Sequence, residues 1–188
     1  AKIYEDARVS ELKYGAKVTA VTDSGVVEAD MALLAGNAYL GGLNKRLERI
    51  ISRVGSYIIS TEPLEAELQA KLMPADFAIC DQRTALDYFR MSADGRLLFG
   101  GLATYTGRHP SDIAAKLRPN MLKVFPELKG VKISHAWGGY IGVSLNRTPQ
   151  LGRLANNVYY AQAYSGHGLA PSHMSAKLVC EAVHGQLS

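Results

Sequence analysis

The sequence predicts a mixed α+β or α/β fold in which one domain is interrupted by an inserted antiparallel-sheet domain. Residues 31–35 form a short apolar run of the kind found in parallel strands. Residues 159–171 pass from a strand pattern through Gly-His-Gly into a helix pattern. Between these two units, residues 39–130 contain short strands and amphipathic helices. This order favours a discontinuous first domain with a second domain inserted into it.

The first thirty residues predict strands joined by a hairpin. Apolar and polar residues alternate over residues 18–22, and Asp23-Ser24-Gly25 is a turn sequence that leads back into residues 26–29. The apolar run at residues 31–35 lacks polar alternation, so we expect a strand covered on both faces. It ends at Gly36-Asn37, and ligands of open parallel sheets bind beyond the carboxyl ends of the strands.

The middle of the chain predicts the inserted sheet and its helices. Asp94-Gly95 is a strong hairpin signal. Ser111 or Asp112 is suited to cap a helix that runs to Phe125. Further helices are expected over residues 43–51 and 64–72, and short strands over residues 54–60, 77–80, 87–91 and 96–100.

A long alternating pattern begins at Val131 and predicts one extended strand. Its apolar face contains Val131, Ile133, His135, Trp137, Gly139, Ile141, Val143 and Leu145. Gly138-Gly139 in its middle indicates a bulge, a bend or the close approach of a ligand. A strand over residues 158–163 follows, and the final helix is expected to bury a stripe of Met174, Leu178, Val179 and Ala182.

The junction between the last strand and the last helix is the best candidate for a ligand site. The first backbone N–H groups of a helix have no intrahelical partners, and the positive end of the helix dipole lies behind them. Gly166 and Gly168 would let this backbone approach a flat or anionic ligand closely, and Pro171 is tolerated in the first helical turn. Taken alone, a Gly-x-Gly sequence is more often simply a turn.

Composition and charge exclude several classes of function. The net charge of +4 is modest and its basic residues are dispersed, which argues against nucleic acid as a partner. The densest basic cluster, residues 45–49, contains a glutamate and reads as a solvated helix face. No apolar run is long enough to cross a membrane and no signal-peptide pattern is present, so we expect a cytoplasmic protein. Cys80 and Cys180 lie far apart, and we expect buried or unused thiols and no metal site.

Three motifs occur together in a characteristic order and spacing. They are Ala35-Gly36-Asn37, Trp137-Gly138-Gly139 followed by Asn146-Arg147-Thr148-Pro149, and Ser165-Gly166-His167-Gly168-Leu169. This set resembles the FAD-dependent oxidoreductases of the D-amino-acid oxidase, glycine oxidase and sarcosine oxidase type, over nearly the whole chain. Residues 35–40 and 137–143 look most like the γ-glutamylputrescine oxidase branch.

The resemblance implies a fold and a cofactor. Residues 1–42 and 136–188 would form the C-terminal part of a discontinuous, Rossmann-like FAD-binding domain, and residues 43–135 an inserted antiparallel-sheet domain that binds substrate. Val9 lies where the family presents backbone to the adenine, Gly36 beside the cofactor, and residues 166–169 where backbone approaches the isoalloxazine ring. The cofactor-binding residues implied are Val9, Ala35, Gly36, Asn37, Gly139, Gly166, His167, Gly168 and Leu169.

The resemblance also implies a reaction. Hydride would leave a carbon that bears an amine, water would hydrolyse the resulting imine, and oxygen would reoxidise the flavin. His167 is the single candidate for a catalytic side chain, although its glycine neighbours are an equally good reason for the motif. Trp137 and Arg147 are candidates for substrate contact, but a pocket or core tryptophan and a surface arginine at a turn are ordinary alternatives.

One motif of the family is missing from this sequence. Family members begin with a strand, a Gly-x-Gly-x-x-Gly turn and a helix that cradle the FAD pyrophosphate. The nearest strings here, Gly100-Gly101 and residues 138–142, have the wrong spacing. We therefore expect a C-terminal portion of an amine oxidase, or a split subunit whose partner carries the fingerprint.

A second hypothesis is a non-catalytic fragment or subunit that binds a partner or substrate without flavin. If no FAD-binding segment accompanies the chain, we expect self-association through its exposed strand edges.

Overall fold

The computed structural model describes residues 1–185 and divides into two compact units. Unit 1 comprises Ala1–Arg53 and Ile141–Ser188, and unit 2 comprises Val54–Tyr140. The chain thus leaves unit 1 once and returns to it once. The roles predicted for these regions in FAD and substrate binding stay predictions.

Unit 1 opens with a three-stranded antiparallel sheet. Its strands are β1 (Val9–Lys13), β2 (Val18–Thr22) and β3 (Gly25–Ala29), in that spatial order. The predicted hairpin is confirmed, because Thr22 pairs with Gly25 across the turn. The Thr22 hydroxyl donates to the Gly25 carbonyl oxygen at 2.9 Å and closes this turn.

A second sheet of unit 1 has the order β10-β11-β4. Strand β4 (Ala32–Leu34) runs parallel to β11 (Val158–Gln162), so the parallel strand expected from the apolar run is confirmed. Strand β10 (Gln150–Ala155) pairs antiparallel with β11 and was not predicted. Coverage of β4 on both faces is wrong for the described residues, since Leu34 is buried on one face while Leu33 on the other is 46% exposed.

Two α-helices complete unit 1. Helix α1 (Lys45–Arg49) is capped by Asn44, whose side-chain oxygen accepts from the Leu47 N–H at 3.0 Å. Helix α4 (Leu169–Val183) follows the strand–turn junction as predicted. Its buried stripe differs in part from the prediction: Val179 is buried as expected, but Met174 is 54% exposed and Ser175 is buried in its place. The helical period fixes the width of a stripe, but the packing partner decides which stripe is covered.

Unit 2 contains a five-stranded sheet with the order β6-β7-β8-β5-β9. Its strands are β5 (Ser52–Thr61), β6 (Ile79–Cys80), β7 (Tyr88–Met91), β8 (Leu97–Thr104) and β9 (Ile133–Val143), the first and last of which extend into unit 1. The hairpin predicted at Asp94-Gly95 joins β7 to β8. A hydrogen bond from Ser92 and another from Arg96 lower the pKa of the Asp94 carboxyl in this turn.

The helices of unit 2 cover its sheet. Helix α2 spans Ala66–Leu72, and α3 spans Ile113–Val124 with the Asp112 carboxylate accepting from the Ala115 N–H at 2.8 Å. The predicted cap is therefore Asp112. The core between sheet and helices is formed by Tyr57, Ile59, Leu97, Phe99, Leu117, Met121 and Leu128, all fully buried. Burying each large apolar side chain stabilises the fold by about 1.5–3 kcal/mol.

Strand β9 is confirmed, but its predicted apolar face is not a buried face. Residues 134–138 are exposed without alternation, and Trp137 is 43% exposed. Alternation predicts which residues share a face of a strand, but it does not decide whether another element covers that face. Gly138 has a packing role, since a Cβ there would overlap the ring of Tyr57 and lie 3.1 Å from the Ser56 carbonyl oxygen.

Both cysteines are free thiols and both are exposed, so of the two expected alternatives, buried or unused, burial is wrong. Cys80 lies on the short edge strand β6, and Cys180 lies on the outer side of α4. Neither position has enough chain packed over it to bury the thiol.

Replacement of Gly138 by alanine is expected to destabilise the protein by about 1–3 kcal/mol, because the Tyr57 ring is fully buried and has no room to move away. Urea unfolding measures this change. Gly130→Ala is the matched control, since a Cβ at Gly130 meets no atom within 4 Å and its change in unfolding free energy should stay below about 0.5 kcal/mol. Equal stability of the two variants would contradict the packing role of Gly138.

Candidate functional site

The carboxyl ends of β4 and β11 lie side by side, because these two strands are parallel neighbours. After β4 the chain enters a short 3-10 helix, Asn37–Tyr39. After β11 it passes through residues 163–168 into α4. The two stretches that the sequence singled out therefore meet at one edge of the sheet, where ligands of open parallel sheets bind.

The side chain of Asn37 joins these two stretches. Its Oδ1 accepts a hydrogen bond from the backbone N–H of Ala163 at 2.9 Å. The Asn37 backbone is left-handed, with φ 47°, a conformation that asparagine tolerates better than most residues. Gly142 of β9 completes the arrangement, because a Cβ at that position would overlap the Asn37 amide.

The turn between β11 and α4 has an unusual backbone. Ala163, Ser165 and Gly166 have φ angles of 63°, 54° and 89°. A left-handed conformation at a non-glycine residue costs on the order of 1–3 kcal/mol and persists only where the surroundings hold it. Here the Ser165 N–H donates to the Gly142 carbonyl at 2.9 Å, and the Ser165 hydroxyl accepts from the Ser144 N–H at 3.4 Å. Strain of this kind concentrates at functional sites.

The first turn of α4 has no side-chain cap and is exposed to solvent. Gly168 occupies the N-cap position and has no side chain to cap the helix, while Leu169 is 96% exposed. His167 is also exposed, and its backbone N–H donates to the Tyr164 carbonyl at 3.0 Å. Its imidazole makes no hydrogen bond within residues 1–185. The helix N-terminus thus presents backbone donors that carry a partial positive charge.

A cleft of about 410 Å³ lies within unit 1. It brings together Val9, Ala35 and Gly36, three of the residues predicted to bind cofactor, from β1 and from the end of β4. Its other lining residues are mostly apolar: Leu12, Ala20, Ala32, Leu33, Leu34, Tyr39, Leu40 and Leu43, with Arg8 as the charged member. The Arg8 guanidinium donates to the Gly41 carbonyl at 3.3 Å. An apolar cleft with few polar groups suits a flat aromatic ligand.

The remaining predicted residues lie elsewhere. Trp137 and Gly139 are in the part of β9 that belongs to unit 2. Arg147 belongs to unit 1 and is exposed in a turn with φ 60°, where its N–H donates to the Ser144 carbonyl at 3.1 Å. Within residues 1–185 no group of three His, Cys, Asp or Glu side chains is arranged to hold a metal ion. None of the described helices is both long and apolar enough to span a membrane.

Ser144 and Gln162 belong to the site but gave no sequence signal. Ser144 directly follows β9, and its N–H donates to the hydroxyl of Ser165, which lies 21 positions further along the chain. Gln162, at the end of β11, is 1% exposed, and its Nε2 donates to the Leu47 carbonyl at 3.1 Å. Its Oε1 is buried and has no partner in the described chain, so it is placed to accept from a water or ligand.

Replacing Asn37 by alanine should leave the fully buried Ala163 N–H without an acceptor, and we expect a loss of about 1–3 kcal/mol in unfolding free energy. Hydrogen exchange of the Ala163 amide should become faster. Asn37→Asp keeps an oxygen acceptor and should restore most of the protection. Unchanged exchange in the alanine variant would refute the bridging role of Asn37.

Comparison with known proteins matches nearly the whole chain to oxidoreductases. A family model described as FAD dependent oxidoreductase matches residues 1–182. The chain is 39% identical over 185 residues to gamma-glutamylputrescine oxidoreductase of Escherichia coli (strain K12), covering 98% of this chain and 43% of that protein. It is 38% identical over 190 residues to the probable oxidoreductase OrdL of Haemophilus influenzae, with the same two coverages of 98% and 43%. The chain therefore spans less than half the length of the curated relatives it matches.

A solved structure agrees at the level of the fold. Glycine oxidase from Bacillus cereus ATCC 14579 superposes with a TM-score of 0.78 at 18% identity, covering 98% of this chain and 51% of that one. FAD is the cofactor of the matching family, as the resemblance implied. Since the family model covers all but the last few residues, this chain belongs to the FAD dependent oxidoreductases.

Proposed function

We propose that this chain is the C-terminal portion of a flavin-dependent amine oxidase. The reaction would oxidise the C–N bond of γ-glutamylputrescine, or of a related amine or amino acid, to an imine with oxygen as the acceptor. The observation that carries the proposal is the strained turn at the start of α4, held against Asn37 at the carboxyl ends of two parallel strands. The relative named gamma-glutamylputrescine oxidoreductase supports the substrate class.

The described residues of unit 1 fit FAD. Val9, Ala35 and Gly36 would hold it along the apolar cleft, and residues 166–169 would meet it with backbone. Gly166 suits this role, because its φ of 89° excludes most side chains and keeps the turn bare. Asn37 would act indirectly by fixing the turn. Gly139, on β9, stays a proposed contact of FAD.

The chemistry that bound FAD supplies is acceptance of a hydride from the carbon that bears the amine, followed by delivery of electrons to oxygen. The N-terminus of α4 would stabilise negative charge placed before it, because its first N–H groups have no intrahelical partners. Trp137 and Arg147 would contact substrate, and His167 is the proposed catalytic side chain. In this proposal residues 1–42 and 136–188 serve FAD and residues 43–135 serve substrate.

The proposal extends to partners and location. Strand β4 pairs only with β11 in the described chain and Leu33 is 46% exposed, so this edge would receive either a further FAD-binding segment or a second copy. The same open edge supports the competing proposal of a non-catalytic subunit that binds a partner without flavin. A cytoplasmic location is also part of the proposal, and nucleic acid and membranes are not proposed as partners.

The protein that contains this chain should purify with bound flavin, and γ-glutamylputrescine should bleach its visible absorption without oxygen. Readmitted oxygen should restore the colour and release hydrogen peroxide. An intact mass measured alongside shows whether a further segment is present. A full-length protein that binds no flavin would favour the non-catalytic subunit.

Gly166→Ala and His167→Ala should separate the roles of backbone and imidazole at the turn. The alanine at position 166 is strained by about 1–2 kcal/mol, and we expect the flavin-to-protein ratio to fall. His167→Ala should retain flavin, because its exposed imidazole has no hydrogen bond within residues 1–185. A His167→Ala protein that keeps flavin but is no longer bleached by amine assigns the chemistry to the imidazole.

A further inference from the structure

Of the residues that the structure describes, Arg8 is the one charged residue that lines the apolar cleft of unit 1. Arg8 lies directly before β1, and its Nη2 donates to the Gly41 carbonyl oxygen at 3.3 Å. Gly41 belongs to the loop of residues 40–43, and Leu40 and Leu43 of this loop also line the cleft. The guanidinium therefore links two walls of the cleft that are 33 residues apart in the chain.

The loop of residues 40–43 is also held without Arg8. Gly41 and Gly42 have left-handed φ angles of 64° and 91°, which glycine adopts without strain. The Gly42 N–H donates to Oε1 of Glu48 on α1 at 2.7 Å. Leu40 is buried in the apolar core of unit 1. Removal of the Arg8 side chain should therefore leave this wall of the cleft in place.

The Arg8 guanidinium keeps most of its capacity to bind a ligand. Arg8 is exposed, and it makes a single hydrogen bond within residues 1–185. A guanidinium is planar, and besides its five N–H donors it has two flat faces that stack on aromatic rings. A planar cation that lines an apolar cleft suits a ligand with a flat aromatic ring.

FAD carries two ring systems, and unit 1 offers two separate places for them. The proposed function sets the hydride-accepting ring before α4, at residues 166–169. Among the described residues that line the cleft, none belongs to the turn of residues 163–169. Gly36 lines the cleft and precedes Asn37, which binds the Ala163 N–H of the turn, so the two places are adjacent. The adenine ring is then the part of FAD that is left for the cleft.

We infer that the Arg8 guanidinium stacks on the adenine ring of FAD and makes the site prefer FAD to FMN. This inference rests on the proposed function for the place of the flavin ring. A cation over an aromatic face is attracted by the negative charge of that face. FMN has the same flavin ring without the adenine, so it gains nothing from Arg8. Arg8 is thus a residue of cofactor specificity and takes no part in the oxidation of the amine.

The test uses the full-length protein from which the flavin has been removed. It is titrated with FAD and, separately, with FMN, and the quenching of flavin fluorescence gives each Kd. Arg8→Ala should raise the Kd of FAD about fivefold and leave the Kd of FMN within about twofold of its value in the unchanged protein.

Arg8→Lys separates stacking from charge. Lysine keeps the positive charge and a donor for the Gly41 carbonyl, but it lacks the planar group. We expect it to bind FAD clearly more weakly than the unchanged protein. Full recovery with lysine, or an effect of Arg8→Ala that disappears at about 0.5 M KCl, would assign Arg8 to the phosphate charges and overturn the stacking. Should Arg8→Ala fail to fold, Arg8→Lys decides.

Lys13→Ala is the matched control, because it removes a positive charge from the same strand without touching the cleft. Lys13 is exposed, its ammonium lies 3.6 Å from the Glu11 carboxylate, and it does not line the cleft. The Kd values of FAD and FMN should both equal those of the unchanged protein. Circular dichroism shows whether each variant is folded.

The outcomes separate the role of Arg8 from the proposed function. If the unchanged protein binds FAD and Arg8→Ala binds it equally well, the role of Arg8 is overturned and the proposed function stands. If Arg8→Ala weakens FAD and FMN by the same factor, Arg8 does not contact adenine and the inference is likewise overturned. If the unchanged full-length protein binds neither flavin, the proposed function fails and the role of Arg8 fails with it.

Discussion

The hydrogen bond from the Ala163 N–H to Asn37 Oδ1 is the constraint on which the candidate site depends. It joins two loops that are 126 residues apart in the chain, at the point where β4 and β11 end together. The left-handed backbone at Ala163 and Ser165 would relax without such support. Gly142 is part of the same constraint, because only a residue without a Cβ leaves room for the Asn37 amide.

Unit 2 depends on a comparable arrangement around one aromatic side chain. The Tyr57 ring is fully buried, and its hydroxyl is hydrogen-bonded to Thr104. The space for this ring comes from Gly55 and Gly138 on two strands of the sheet. Glycines that resemble a ligand-binding motif in the sequence thus also serve packing. In both units a glycine in β9 makes room for a side chain from another segment.

Prediction from sequence succeeded where the signal was local. The hairpin at Asp94-Gly95 follows from turn chemistry, and the Asp112 cap follows from a short polar side chain that satisfies a free N–H. Prediction failed where burial depends on a distant partner. Met174 and Ser175 are adjacent on α4, and periodicity alone does not decide which one faces the core. Strand β10 gave too weak an alternation, since Gly152 interrupts it to leave room for the Tyr160 ring.

The sequence by itself determined most of the elements, among them the parallel strand at residues 32–34 and the strand–turn–helix junction, and it also showed the resemblance to FAD-dependent oxidoreductases. These depend on residue types at fixed short spacings, which are visible along the chain. Only the tertiary structure decided that Val9 and Gly36 line one cleft and that Asn37 holds the turn before α4. Each of these contacts joins residues far apart in sequence, and their pairing is fixed by the register and packing of strands rather than by any local pattern.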